Sequence, residues 1–334
     1  MKFLTVLTAA GLLAGLSTSA MSDDFTLKVT LDTSPQHVRN VWLKEFAAKI
    51  EEASQGRLHL TILEAASAFK DVEAAAAVAQ GSIDMAIPQY QLISKFVPDA
   101  DLEQLPMFYG APREKIYDVI DGDVGKELNA KIEDKLGVTV IGRPIDLGFG
   151  TVFSTTTELH SPLDLRGLKV RVPGGPATIK RYEIMGAAPV QVAWPDVPQA
   201  LQTGTISALW TTQESLASAK LWDAGVKYGL DDRQAIVQYV PLMNTSAWQA
   251  LPEELRSLFQ QTWDGMVDAQ RDTAHQRQDE ARALNTKNGI ASVEPSDADL
   301  ATMRNKLLEA QPELVDTLGM DPDLVAKARK ILVQ

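Results

Sequence analysis

"GLKVRVPGGPATIKRYEIMGAAPVQVAWPDVPQALQTGTISAL", residues 167–209, decides the fold. Leu168 to Val172 alternates as a strand does, Ala177 to Met185 has helical spacing and stops at Gly186, and Pro189 to Val192 is a short strand. Asp196 to Thr203 is a second helix, stopped at Gly204, and Ile206 to Leu209 a third strand. Strand and helix alternate at the pitch of an α/β layer. Within the first strand Leu168, Val170 and Val172 face one way, while Lys169 and Arg171 face the other. Arg171 stands near the carboxyl end of its strand, where α/β domains bind ligands, and the helix after Gly174-Gly175-Pro176 aims its first amides at the same edge. A guanidinium there grips a carboxylate through two parallel hydrogen bonds, or else pairs with a neighbouring Asp or Glu.

The same alternation runs outward in both directions. Upstream come a strand at Leu27 to Leu31, a helix carrying Val38, Val41, Trp42, Phe46 and Ile50 and ending before Gly56, and a strand at Leu58 to Leu63. A helix at Asp71 to Gln80 and a strand at Ile83 to Ile87 follow. Asp123 to Leu136 is a helix stopped by Gly137, Val138 to Ile141 a strand, and "PIDLGFGTVFS" a glycine-rich crossing. The centre of the alternation changes near residue 147. Downstream, "AIVQYVPLMN" (Ala235 to Asn244) reads as one long apolar strand. Pro252 and Glu253 suit a helix start, and the helix they open runs to about Leu284, about 45 Å at 1.5 Å per residue. That exceeds the width of one small domain, so the helix lies along both. The expected parts are 24–146 with 235–250 as a first domain, 147–234 with 285–300 as a second, 252–284 as the spanning helix, and short helices over 300–334.

The chain has 334 residues, 45% of them hydrophobic, enough for two domains with real cores. Met1-Lys2, the apolar run Phe3 to Leu16 and Ser17-Thr18-Ser19-Ala20 read as a secretory signal peptide over residues 1–20, cleaved near Ala20. Cysteine is absent, which excludes a disulfide-stapled scaffold and lipid attachment through an N-terminal cysteine. A free protein of the bacterial periplasm fits these features. A net charge of -12 opposes polyanion binding, so nucleic acid is not an expected partner.

Motifs for catalysis are missing. His37, His59, His160 and His275 are scattered without metal-ligand spacing, so no metal site is expected. There is no G-x-S-x-G turn, no Walker loop and no G-x-G-x-x-G after a strand, and no cofactor is indicated. The weight moves from an enzyme to a binding protein.

Taken together, "FAAKIEEASQGRLHLTILEAASAF", "AQGSIDMAI", "VPDADLEQLPMFYG", "DLRGLKVRVPGG" and "VPLMNTSAWQALPEEL", in this order and spacing, resemble the extracytoplasmic solute-binding proteins of TRAP transporters, whose members bind organic acids such as C4-dicarboxylates and sialic acid. The resemblance covers almost the whole chain after residue 20. It implies an α/β, two-domain periplasmic solute-binding-protein fold with crossing hinge strands and a long domain-spanning helix, closing on its ligand. It also implies delivery of an organic acid to TRAP-type integral membrane subunits by a monomer, with no catalysis. By the same resemblance Arg171 is the arginine that grips the ligand carboxylate, Trp194 the aromatic lining the cleft, and Trp210 and Thr211 the cleft segment after "ALQTG". Gln89 and Tyr90 match the segment after "G-S-I-D", and Asp32 through His37 the first strand-loop.

The departures from the family pattern carry information of their own. The place of a second arginine falls on Gly150 or Thr151, and the usual Gln-Glu-Asn run is Leu209-Trp210-Thr211. One arginine with two tryptophans favours a monocarboxylate, such as a sugar acid or a hydroxy or keto acid, over a C4-dicarboxylate; Arg143 is the remaining source of a second charge. Phe149 and Thr151 join the expected lining, with Gln89, Thr151 and Thr211 reading hydroxyls. Asp32 holds a ligand hydroxyl or pairs with Arg171, and His37 lines the cleft or caps the first long helix. Trp42, Trp222, Trp248 and Trp263 sit at helical spacing and read as packing. A ligand-sensing receptor subunit and a secreted enzyme of unfamiliar motif are the competing functions.

Overall fold

The computed structural model describes residues 24–333. The expected signal peptide lies outside them. The chain builds two sheets, each the floor of one α/β domain. The first sheet has the order β2-β1-β3-β12-β4, from β1 (Phe25–Thr30), β2 (Leu58–Leu63), β3 (Met85–Ala86), β4 (Val138–Val140) and the late strand β12 (Leu242–Asn244). The second has the order β13-β10-β6-β9-β7-β8. It is formed by β6 (Thr151–Ser154), β7 (Lys169–Val172), β8 (Ala188–Gln191), β9 (Ala208–Thr211), β10 (Tyr228–Leu230) and the late strand β13 (Ala291–Val293).

Between the sheets β5 (Ile145–Phe149) and β11 (Ile236–Tyr239) pair antiparallel as a two-stranded ribbon, with Ile145 opposite Tyr239 and an irregularity between Ile236 and Gln238. This ribbon is the crossing. The "PIDLGFGTVFS" segment is thus two strands, β5 and β6, hinged at Gly150. The expected single strand over 235–244 is likewise two, β11 and β12, broken at Val240-Pro241, because Pro241 cannot donate to a ladder.

Eleven helices are described, α1 (Val38–Ala53), α2 (Asp71–Ala79), α3 (Arg113–Ile120), α4 (Asp123–Leu136), α5 (Pro176–Met185), α6 (Val197–Gln202), α7 (Gln213–Ser218), α8 (Thr245–Ala250), α9 (Glu253–Lys287), α10 (Asp297–Thr317) and α11 (Pro322–Leu332). The expected helix at 196–203 opens as a 3-10 turn, Trp194–Asp196, before α6, since Pro195 and Pro198 deny the first turn its regular donors. The third strand of that unit starts later than expected and ends at Thr211. The 3-10 stretches Pro98–Gln104 and Pro106–Phe108 and the helix α3, each at most eight residues long, were not anticipated.

Helix α9 has 35 residues and runs from α1 past β5 to α7 and β13, so both domains and the crossing lean on it. Its buried stripe, Leu255, Phe259, Trp263 and Val267, repeats every four residues. Trp263 meets Trp42 edge-on at 5.0 Å between ring centroids, and Phe259 meets Phe46 at 4.9 Å. Trp42, Trp248 and Trp263 therefore belong to the largest core cluster, and Trp222 packs against a smaller one.

Candidate ligand-binding cleft

Where β7 and β9 end, their carboxyl edges face the first domain across a narrow cleft with about 20 Å³ of free space. Its walls are Asp32, Thr33, Asp71 and Gln89 from the first domain, Arg171, Pro173, Trp194, Trp210, Thr211, Thr212 and Ser215 from the second, and Val237 and Tyr239 from the crossing ribbon.

Arg171 is the centre of this cleft. Only 3% of it is exposed. Its Nε donates to Val192 O at 2.9 Å and its Nη1 to Trp210 O at 3.4 Å. Those bonds fix the stem and inner edge of the guanidinium. Nη2 makes no hydrogen bond to the described residues and lies 3.8 Å from Asp71 Oδ2. Trp194 presents its ring to the guanidinium at 5.6 Å. Burial lowers the affinity of Arg171 for its proton, and the carboxylates Asp71 and Asp32 work against that.

Asp71 sits at the first turn of α2 and reaches across the cleft, where both its oxygens accept from Trp194 N at 3.2 and 3.3 Å. Burial first, then the charge of Asp32, pushes its pKa up to about 6, with Arg171 pulling the other way. Asp32 does not pair with Arg171; its carboxylate is held by Arg39, itself 1% exposed and stacked at 4.2 Å over the Tyr239 ring. Tyr239 OH accepts from Gln89 Nε2 at 3.0 Å, and burial lifts its pKa to about 12.

Three carboxylates cross between the domains to cap chain starts on the other side. Asp71 takes Trp194 N, Asp101 takes Ala177 N at the start of α5 (2.8 Å), and Glu214 of α7 takes Val38 N at the start of α1 (3.0 Å). Each satisfies an orphan helix-end donor. Lys70 and Asp196 add an ion pair at 2.7 Å over the cleft mouth. The domains are closed on each other.

Ser215 Oγ and His37 Nε2 lie 2.9 Å apart, with Glu214 Oε2 3.2 Å from the same nitrogen. This looks like a nucleophile with its base, yet the ring is oriented the wrong way. His37 Nδ1 accepts from Arg39 N at 3.1 Å, so the proton of the neutral ring is on Nε2, which donates toward Ser215. Burial, and then Arg39, keep the ring neutral. Ser215 also receives Thr212 Oγ1–H at 2.9 Å. Glu214 Oε2 itself accepts no hydrogen bond among the described residues; α1 and α7 are joined by His37 to Ser215 and by Val38 N to Glu214 Oε1.

Of the residues expected from sequence, Arg171, Trp194, Trp210, Thr211, Gln89 and Asp32 converge on the cleft. Four do not. His37 is the N-cap of α1, and Tyr90 points into the first domain, its OH on Asn129 at 3.1 Å. Phe149 and Thr151 line a separate hollow of about 210 Å³ with Asp231, Arg282 and His275, and the Thr151 hydroxyl donates to Asp231 there. Arg143 is also absent from the cleft: its guanidinium is bound to Asp268 at 2.8 Å and to Asp264 O at 2.8 Å on α9. Asp71 and Tyr239 were missed. Each had only a weak signal, a carboxylate opening a helix and a tyrosine two residues from Val237 on an apolar strand.

Residues 29–316 match the family model described as bacterial extracellular solute-binding protein, family 7. The chain belongs to this family. The C4-dicarboxylate-binding periplasmic protein of Rhodobacter capsulatus is 23% identical over 325 residues, 96% of this chain and 95% of that protein. Among solved structures, a TRAP periplasmic solute-binding protein of Ralstonia eutropha with bound (S)-2-acetolactate superposes with a TM-score of 0.84 at 23% identity, over 92% of this chain and 98% of that one. One from Desulfovibrio salexigens with bound orotic acid gives a TM-score of 0.86 at 18% identity, over 93% and 99%. The two-domain α/β fold of this chain is therefore shared with solved TRAP solute-binding proteins that hold different bound acids.

Proposed function

We propose that this protein is the periplasmic solute-binding component of a TRAP-type transporter, capturing an organic acid by cleft closure and handing it to membrane subunits. The observation that carries the reading is Arg171, a guanidinium fixed from behind by two carbonyls with Nη2 bare toward a closable cleft. A carboxylate that docks on it replaces the long contact to Asp71 with charge-assisted bonds. Because a ligand shifts an equilibrium only by its differential affinity, groups from both domains must touch it, as the lining allows. The named relatives and solved neighbours bind carboxylates, which supports the same class here. A monocarboxylate is favoured, since Arg143 is engaged on α9 and Arg171 is the only arginine in the lining among the described residues. Residues 1–20 serve in this reading as the export signal.

The test is thermal unfolding of the protein from Met21 onward with sugar acids, hydroxy and keto acids, dicarboxylates and amino acids, beside Arg171→Ala. A ligand present at 100 times its Kd adds about 2.7 kcal/mol of stability. Loss of that increment in the variant is expected. Equal stabilisation of both proteins would remove Arg171 from the site.

A further inference from the structure

The cleft holds more negative charge than a carboxylate receptor needs. Its lining contains one arginine, Arg171, and two aspartates, Asp32 and Asp71. The charge of Asp32 is already matched by Arg39 behind it. Asp71 has no such partner: it is 8% exposed, takes one shared amide from Trp194, and its nearest cation is Arg171 at 3.8 Å. The nearby Lys70 is committed to Asp196.

A simple acid that binds Arg171 thus sets a second carboxylate beside Asp71 over a single guanidinium, inside a closed pocket. Like charges so placed disfavour each other's ionised form. A dicarboxylate doubles the conflict. A ligand hydroxyl gives Asp71 a hydrogen bond but leaves its charge in place. A ligand that carries its own positive charge leaves the cleft neutral with Asp71 still ionised after Arg171 has turned from Asp71 to the ligand.

We propose that the cleft takes a small zwitterion, its carboxylate on Arg171 and its cationic nitrogen on Asp71, with Trp194 and Trp210 as apolar walls. Asp71 is then the specificity-determining residue, and it selects amino acids and related zwitterions over hydroxy, keto and dicarboxylic acids. The proposal rests on the carboxylate reading of Arg171 and narrows it.

Matched probes separate the two layers of the argument. Calorimetric titration of the wild type, Asp71→Asn and Arg171→Ala uses alanine, lactate and pyruvate; leucine with its hydroxy and keto analogues; and proline with cyclopentanecarboxylate. In Asp71→Asn the amide oxygen still accepts from Trp194 N, and equal melting of the unliganded proteins checks the fold. The expected result is an amino member at least tenfold tighter than its partners, a loss of at least tenfold in Asp71→Asn, and no binding in Arg171→Ala. A hydroxy, keto or plain acid that binds best, binds tighter in Asp71→Asn and fails in Arg171→Ala overturns the zwitterion and leaves the carboxylate reading standing. Binding that survives Arg171→Ala, or none of either class to any of the three proteins, overturns both.

Discussion

Arg171 and Arg271 are both buried at 3% exposure, one in the cleft and one on the long helix behind the crossing, yet they are held in opposite ways. Arg271 grips Asp121 with two bonds, at 2.6 and 2.9 Å, donates twice more to Pro144 O, and lies 4.2 Å over the Tyr117 ring. Burial pulls its pKa down, and the hydrogen bond and charge of Asp121 more than restore it. Arg171 has carbonyls behind it, a loose acid in front, and a lowered pKa. A saturated arginine holds a structure together. An unsaturated one, fixed at the stem and open at the tip, is poised for a partner that the chain does not supply.

The sharpest way to break this contrast is to remove each guanidinium. Arg271→Ala takes two bonds from Asp121, leaving it Arg143 at 3.6 Å as its remaining cation, and frees Pro144 O at the entrance to β5, so a loss of about 3 kcal/mol is expected in denaturant unfolding. Arg171→Ala, by contrast, removes a 3.8 Å contact to Asp71 rather than a bonded pair, so it is expected to lose less stability than Arg271→Ala without ligand, and to forfeit in addition the increment of about 2.7 kcal/mol that ligand at 100 Kd provides. If the two variants lose similar stability without ligand, the distinction between clamp and receptor fails.

Gly150 tests how far the crossing shapes the cleft. A Cβ built there would sit 2.2 Å from Trp210 Nε1 and 2.4 Å from Cε2, and Trp210 is only 2% exposed. Gly150→Ala must displace the indole, one wall of the cleft, at a cost of about 1–3 kcal/mol. Affinity should fall with it. An unchanged Kd would mean that Trp210 belongs to the core and merely shows an edge to the cleft.

The α/β class and the convergence of Arg171 with Trp194 and Trp210 were legible because strand alternation, helix-stopping glycines and a family pattern act over short stretches. Asp71 was not legible as a cleft residue. Its role arises only when Trp194, more than a hundred residues away, is brought to it by closure. His37, which caps α1 as one of its two readings had it, and Thr151, which was expected in the cleft, stand outside it for a related reason: each sits next to the right segment, but a helix cap in one case and a bond to Asp231 in the other holds the side chain elsewhere. Sequence locates the segment; the facing of a side chain is set by elements it packs against.

Arg181 lies between the two extremes and yields the smallest effect. It is 1% exposed, donates to Gln104 O at 3.3 Å, and leaves Nε and Nη2 without partners among the described residues. Asp101 and Asp232 are near enough to feel its charge without pairing, and burial, the largest influence on each, pushes both pKa values up to about 7. A carboxyl group that gains affinity for its proton on folding is more protonated in the native chain than in the unfolded one. Stability therefore falls as pH climbs from the ordinary carboxylate range to about 7, and levels off above it, by at most about 1.4 kcal/mol per pH unit for each group. His37 acts in the other direction below about pH 6.5, since a ring kept neutral by the fold loses stability there as the unfolded ring charges. The informative quantity is the difference between wild type and Asp232→Asn. The amide can accept from Tyr109 OH and Gln234 Nε2, the two donors that Asp232 now holds at 3.1 and 2.7 Å. The variant is expected to lose less stability than the wild type between pH 5 and pH 7.5. Parallel profiles would show that Asp232 stays ionised, with Arg181 as its counter-ion, and would place Arg181 with Arg271 among the clamps.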